Sequence, residues 1–220
     1  ALCVDDENIL WIGTYLGGLN SFDGKKFTHY KHDNLDSTSL SDDKVWEVFE
    51  DRERNLWIGT LGGGLDLLNR KTQQFEHYQN KGRQSDPIPS NFISAITEDK
   101  KGNLWIGTDN GLAIYDGNKF ETYTIKNGIA GNIVRKLFED KNGNIWIGTN
   151  GGLSIYDGYH FTNLTKKNGL NGKTILCIIQ DHLERIWVGT DDGGINIISN
   201  ANKNNYNIKH AQASAEYGNL

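Results

Sequence analysis

Methionine is absent from the 220 residues, proline occurs twice, cysteine twice, and hydrophobic residues make up only 36%. A chain with no methionine, not even an initiator, is expected to be processed or cut from something longer. Two prolines exclude a Pro-rich linker and, beside 26 glycines, a collagen-like chain. The longest apolar run, Ile175 to Ile179, falls far short of the roughly 20 residues that cross a bilayer, and no stretch of these residues is expected to be a signal peptide. Cations are also scarce: 23 Lys and Arg face 28 Asp and Glu, a net charge of −5. Nucleic acid would require a basic face to neutralise phosphates, so no nucleic-acid partner is expected. Cys3 and Cys177 sit in apolar stretches without metal-ligand or redox spacing. They are expected to be free core thiols, with a buried pair as the alternative.

What the chain does have is aromatic mass and repetition. Six Trp, nine Tyr and eight Phe offer large buried areas per residue, which argues against disorder. Leu10-Trp11-Ile12-Gly13-Thr14 returns around Trp57 and Trp105, with Ile for Leu around Trp146, and as Ile186-Trp187-Val188-Gly189-Thr190 around Trp187. The Trp-to-Trp spacings are 46, 48, 41 and 41 residues, the signature of a repeat architecture.

Each unit holds four short apolar stretches separated by turn chemistry, the content of a four-stranded antiparallel blade. In the second unit these are Val45 to Asp51, Leu56 to Thr60, Leu65 to Asn69 and Phe75 to Asn80, lettered A to D. An Asp stands six residues before every anchor Trp: Asp5, Asp51, Asp99, Asp140 and Asp181. It opens a tight A-to-B turn, its carboxylate accepting from the turn's own N–H groups while a Gly supplies positive φ. Arg52-Glu53-Arg54 and His182-Leu183-Glu184 replace the Gly-bearing turn in units two and five, which leaves the turn type open there. Strands A to C are expected to be apolar on both faces, as stacking against two neighbours requires, with a more polar outer strand D. The expected fold is therefore all-β, a β-propeller with blades at about 1–32, 45–80, 93–125, 134–165 and 174–211. A β-sandwich would not explain the near-identical repeats. Unit one lacks the beginning of strand A, and the polar tail 212–220 reads as an inter-blade loop. An open arc within a larger propeller is expected over a compact five-blade ring.

The pattern Asp-x-x-Gly-Asn-Leu-Trp-Ile-Gly-Thr, then a Gly-rich step, Tyr-Asp-Gly and Phe-x-x-Tyr, resembles the two-component regulator propeller repeat. It is clearest from Asp99 to Tyr123 and from Asp140 to Phe161. The resemblance implies the extracytoplasmic, periplasmic sensor of a Bacteroides-type hybrid two-component receptor. There, seven-bladed propellers precede a β-sandwich, a membrane helix and a histidine kinase, and many of the receptors detect oligosaccharides. A homodimer, or contact with further blades and the β-sandwich, is implied as well.

In a propeller the B-to-C and D-to-A connections share one face, and here that face carries the variation. D-to-A loops are long after units one and two (31–44 and 79–92) and shorter after three and four. Variable loops on a rigid scaffold are where binding tends to sit. The candidates for sugar contact are Tyr15, Asp109, Asn110, Asn150, Asp191 and Asp192: one aromatic platform and several short hydrogen-bonding side chains. The same residue types also form turns for backbone reasons alone. The anchor Trp residues are expected in blade-to-blade packing, Trp46 in the core beside Val45 and Val48, and His29 and His77 as solvated edge residues on strand D.

Neither a cofactor nor a metal is expected. Asp140-x-Asn142-Gly143-Asn144 has its glycine too early for a calcium loop, and no nucleophile elbow or phosphate loop appears. The channel-mouth positions Lys44, Phe92, Ile133 and Thr174 lack the His or carboxylates of a propeller enzyme. The expectation is a non-catalytic sensor propeller. Its rivals are a protein-interaction scaffold and a propeller lyase, the latter requiring convergent His, Glu or Asp on the loop face.

Overall fold

Turn-forming residues interrupt the apolar stretches so often that only short strands can form, and each must find its partner in the next stretch along. A computed structural model describes residues 1–199 and 206–211. They form twenty strands of three to six residues in five four-stranded antiparallel sheets, each sheet in chain order. Blade 1 comprises β1 (Leu2–Val4), β2 (Leu10–Gly13), β3 (Leu19–Phe22) and β4 (Phe27–Tyr30). Blade 2 comprises β5 (Val45–Glu50), β6 (Leu56–Thr60), β7 (Leu65–Asn69) and β8 (Gln74–Tyr78). β9 (Ile93–Glu98), β10 (Leu104–Thr108), β11 (Gly111–Tyr115) and β12 (Phe120–Tyr123) make blade 3. β13 (Val134–Glu139), β14 (Ile145–Thr149), β15 (Leu153–Tyr156) and β16 (Phe161–Leu164) make blade 4. Blade 5 holds β17 (Ile175–Gln180), β18 (Ile186–Thr190), β19 (Gly194–Ser199) and β20 (Asn207–His210).

The core lies between blades. Four apolar clusters join blade 1 to 2, 2 to 3, 3 to 4 and 4 to 5. In each, the anchor Trp of one blade meets the first strand of the next, as Trp105 meets Val134 and Leu137. Burying a side chain of this size is worth about 3 kcal/mol. The glycine of the repeated pentapeptide permits the close approach: a Cβ on Gly107 would lie 2.6 Å from Val134 Cγ1. None of the four clusters joins blade 5 to blade 1, and Leu2, Val4, Ile179 and Ile195 are exposed on those two blades. Among the described residues, the absence of a packed cluster between blades 5 and 1 is in keeping with an open arc. The tail 212–220 lies outside the described residues.

The Asp before each Trp does more than open a turn. Its Oδ1 accepts two turn N–H groups, from Lys101 and Asn103 at 2.9 Å each in the case of Asp99. Its Oδ2 accepts the indole N–H of the anchor, at 2.7 to 3.0 Å in all five blades. A side chain four residues after the Asp adds a further donor in blades 2 to 5: Asn55, Asn103, Asn144 and Arg185. In blade 1 that place is Ile9, and Arg70 of blade 2 reaches Asp5 at 2.6 Å instead. Burial pushes the carboxyls of Asp5, Asp99 and Asp181 up, but the indole and the other donors outweigh it and hold them below the usual carboxylate range. The turns of blades 2 and 5 keep the same geometry without glycine. Arg54 and Glu184 take the left-handed conformation (φ 67° and 62°), as Asn8 does in blade 1.

Four expectations require correction. Trp46 is not core: it is 50% exposed. A β-bulge between Val45 and Glu47 inserts it as an extra residue in β5, and a bulge re-aims the side chain that it carries. The cysteines are free as expected, but Cys177 is exposed and Cys3 only half-buried, because inner strands border the open axial space as well as the core. His77 is not a solvated edge residue. Its Nδ1 lies 2.7 Å from Oδ1 of the buried Asp66, and its Nε2 lies 3.0 Å from the Ser37 carbonyl. Strand C, finally, is not apolar on both faces. Asp66, Ser154 and Asn196 are buried on it and accept backbone N–H groups from Ser41, Ala130 and Asn171, which pins each incoming loop.

Candidate functional site

The loop face is assembled from the ends of strand B, where the repeated Thr organises each connection. Its hydroxyl donates to the glycine carbonyl that starts strand C, at 2.8 to 3.0 Å in all five blades. It also accepts a loop N–H, from Gly17, Gly63, Asn110, Gly151 and Gly193 in turn. Gly152 follows at φ 134°, where a Cβ would lie 2.7 Å from the Leu164 carbonyl. Strand B thus ends in a rigid clamp that presents only the loop tip. Recurrence of the Thr in all five copies was the signal for this role, and sequence reasoning passed over it.

Of the six candidates, three work within the fold. Asn110 donates to the Pro89 carbonyl at 3.3 Å. Asn150 accepts the Ile133 N–H at 3.3 Å through Oδ1. Asp192 accepts the Lys173 N–H at 2.9 Å and lies 3.3 Å from Lys166 Nζ. Those two partners, the backbone bond first, hold its carboxyl below the ordinary value. Each of these residues braces the segment that enters its own blade. Tyr15, Asp109 and Asp191 offer exposed side chains. The six are spread over blades 1, 3, 4 and 5, and the structure does not gather them into one pocket.

The turn face has a cleft that sequence reasoning missed. Between blades 3 and 4 a hollow of about 450 Å3 is lined by Asp99, Trp105, Glu121, Tyr123, Glu139 and Tyr156, among others. Its polar groups are largely paired with one another. Lys119 Nζ meets Glu121 at 2.5 Å, Tyr123 donates to the same carboxylate at 3.1 Å, and Lys100 donates to the Lys141 carbonyl at 2.6 Å. Trp105 and Tyr156, both in its lining, meet at a tilt of 53° with ring centroids 5.4 Å apart. Among the described residues no three or more His, Cys, Asp or Glu are placed to hold a metal ion, and no helix is long and apolar enough to cross a membrane.

Comparison with known proteins places this geometry in a family. The sequence pattern described as "Two component regulator propeller" matches at residues 39–62, 87–110, 128–151 and 169–192. Each match runs through the inner strand of a blade to the pentapeptide and the loop after it. No curated protein matches the chain significantly. Among solved structures, the extracellular domain assigned to the hybrid two component system BT3049 of B. thetaiotaomicron is similar at 29% identity and a TM-score of 0.74, over 94% of this chain and 27% of that one. The extracellular domain of BT4673, from the same organism, is similar at 25% identity and a TM-score of 0.75, over 97% of this chain and 31% of that one. The chain thus spans about three-tenths of the length of these structures. A virginiamycin B lyase from Staphylococcus aureus shares the fold alone, at 14% identity and a TM-score of 0.70, over 97% of this chain and 70% of that one. With four matched repeats, a fifth copy of the pentapeptide around Trp11 and five four-stranded blades, this chain belongs to the two-component regulator propeller family.

Proposed function

We propose that this chain is a non-catalytic ligand-sensing propeller in the extracytoplasmic, periplasmic region of a hybrid two-component receptor, and that its ligand is an oligosaccharide. The observation that carries the reading is the family repeat, joined to likeness with the extracellular domains of two B. thetaiotaomicron signalling systems. The loop face supports a binding role. Strand-end clamps hold its tips rigidly, and Tyr15, Asp109 and Asp191 offer a ring and carboxylates without spending them inside the fold. Asn110, Asn150 and Asp192 add polar rim groups. The open faces of blades 1 and 5 receive further blades, a β-sandwich domain or a second copy of the receptor.

Calorimetry with a glycan panel tests this reading, run on the chain and on the full extracytoplasmic region of its receptor. Saccharide binding to the chain supports it. Binding only by the longer region would move the pocket off these blades. No binding by either, with a protein partner co-purifying, would replace sugar sensing with protein recognition.

A further inference from the structure

Five tryptophans are anchors, each bonded to its Asp, and Trp46 is the exception. Blade 2 is packed on both faces, against blade 1 and against blade 3. A half-exposed indole on its inner strand therefore faces the axial space that the inner strands surround. The same holds for β13 of blade 4, packed on both faces as well, where Arg135 and Lys136 are exposed. Arg135 occupies the place of Trp46: β5, β9, β13 and β17 each carry a bulge there, filled by Trp46, Ser94, Arg135 and Leu176. A bulge kept at one position in four blades is a device for aiming side chains out of the ladder.

The residues in these places differ in a way that packing does not require. Arg135 makes no hydrogen bond or ion pair among the described residues, so its guanidinium is a free cation. Ser94, between the two, is small, and its hydroxyl turns aside to donate to the Val134 carbonyl at 2.6 Å. That leaves the wall open from the indole to the guanidinium. Glu47, beside Trp46, is the acid on this wall. Burial pushes its carboxyl up, and the charges of Lys136 on blade 4 and of the N-terminus on the adjacent blade 1 act against that, so one cation bears on blade 2 from the far side of the axial space.

We infer that the bulged inner strands form a binding site for an acidic saccharide, one sugar ring stacked on Trp46 and an anionic group paired with Arg135. An indole face takes the C–H face of a pyranose, while a planar guanidinium takes a carboxylate or sulfate through two parallel hydrogen bonds. One blade separates the two residues, so the ligand carries more than one ring. The inference deepens the saccharide-sensing reading and rests on it.

The test is calorimetry on the chain with trigalacturonic acid, a sulfated disaccharide and neutral galactotriose. Trp46 fluorescence is followed in parallel, and thermal melts establish that every variant folds. At least one acidic sugar is expected to bind at least tenfold more tightly than the neutral one, the two acidic probes separating carboxylate from sulfate recognition. Arg135→Ala should remove that preference, Arg135→Lys should restore part of it, and Trp46→Ala should weaken every sugar tenfold or more. Equal binding of acidic and neutral sugars, or binding that survives both Trp46→Ala and Arg135→Ala, overturns the inference. Binding that survives those two but falls with Asp109→Ala or Asp191→Ala also overturns it, while leaving the sensor reading intact. Failure of all three probes refutes the acidic site, and the wider glycan panel then decides the sensor reading separately.

Discussion

Glu98, the last residue of β9 in blade 3, accepts the backbone N–H of Arg52 in the A-to-B turn of blade 2, at 2.9 Å. The same latch closes every blade junction. Asp6 donates to Glu50 at 2.7 Å, Lys100 to Glu139 at 2.9 Å and Lys141 to Gln180 at 2.9 Å. One residue at the end of each of β5, β9, β13 and β17 thus ties its blade to the turn of the blade before it, on the face opposite the loops. In β1 that place is Val4, which cannot accept.

Glu98→Ala should cost about 1–2 kcal/mol, the scale of a hydrogen bond to a charged group at a half-exposed site. It should also speed exchange of the Arg52 amide selectively. Glu98→Gln should retain most of the stability, because Gln180 already serves as the acceptor between blades 4 and 5. Urea unfolding and amide exchange read both.

Asp99→Ala leaves a buried indole N–H without its acceptor and strips two N–H groups of theirs. Destabilisation of about 3 kcal/mol is expected at neutral pH. The Asp99 carboxyl is held below its ordinary value in the fold. Its contribution is therefore complete above the unfolded value of about 3.9 and is lost as pH falls through the folded one. The difference between wild type and Asp99→Ala should shrink on acidification below about pH 4, measured by denaturant midpoints across pH.

Gly107→Ala inserts a methyl group where Val134 Cγ1 already stands, 2.6 Å from the added atom. Overpacking of this kind costs about 1–3 kcal/mol. The double variant with Val134→Ala should recover part of the loss, and a double-mutant cycle on the denaturant midpoint measures the coupling.

The loop 31–44 should loosen as pH rises. Both ring nitrogens of His77 face acceptors, Asp66 Oδ1 and the Ser37 carbonyl, an arrangement that favours the imidazolium, and its pKa is raised, chiefly by the Asp66 bond. Burial alone pushes the Asp66 carboxyl up, while the His77 and Ser41 N–H groups oppose it. A raised histidine contributes fully below its unfolded value of about 6.5, and the contribution disappears as pH passes the folded value. Hydrogen exchange over residues 37–41 should be faster at pH 8.5 than at pH 6 once intrinsic rates are divided out. His77→Gln should abolish that dependence.

The blades were legible because each is a local meander. The pentapeptide marks strand B, Asp marks the A-to-B turn, and strands in blade 2 begin and end within two residues of where turn chemistry puts them. Trp46 was misread because a bulge is a register event between two strands, and the spacing of apolar residues within one strand does not report it. Trp46 nonetheless stood outside the repeated pentapeptide, and that departure was the available signal. His77 read as a surface residue by type, and Asp66 was passed over within a strand expected to be apolar; their burial depends on where the loop 31–44 lies, which no local pattern encodes. On the loop face, residue type identified Asn110, Asn150 and Asp192 as turn formers and as candidates at once. Only the bonds to Pro89, Ile133 and Lys173 reveal the structural share of their work.

The central claim is that five indoles are tied to their turn carboxylates, four of them inside the blade junctions, and one is left at the axis. Hydrogen exchange of the six indole N–H groups, resolved by nitrogen-15 NMR with each Trp→Phe variant assigning one resonance, tests it directly. Trp11, Trp57, Trp105, Trp146 and Trp187 should each exchange slowly, bonded to their carboxylates, while Trp46 exchanges at the rate of a free indole. A protected Trp46, or an anchor indole that exchanges as fast as Trp46, would contradict it.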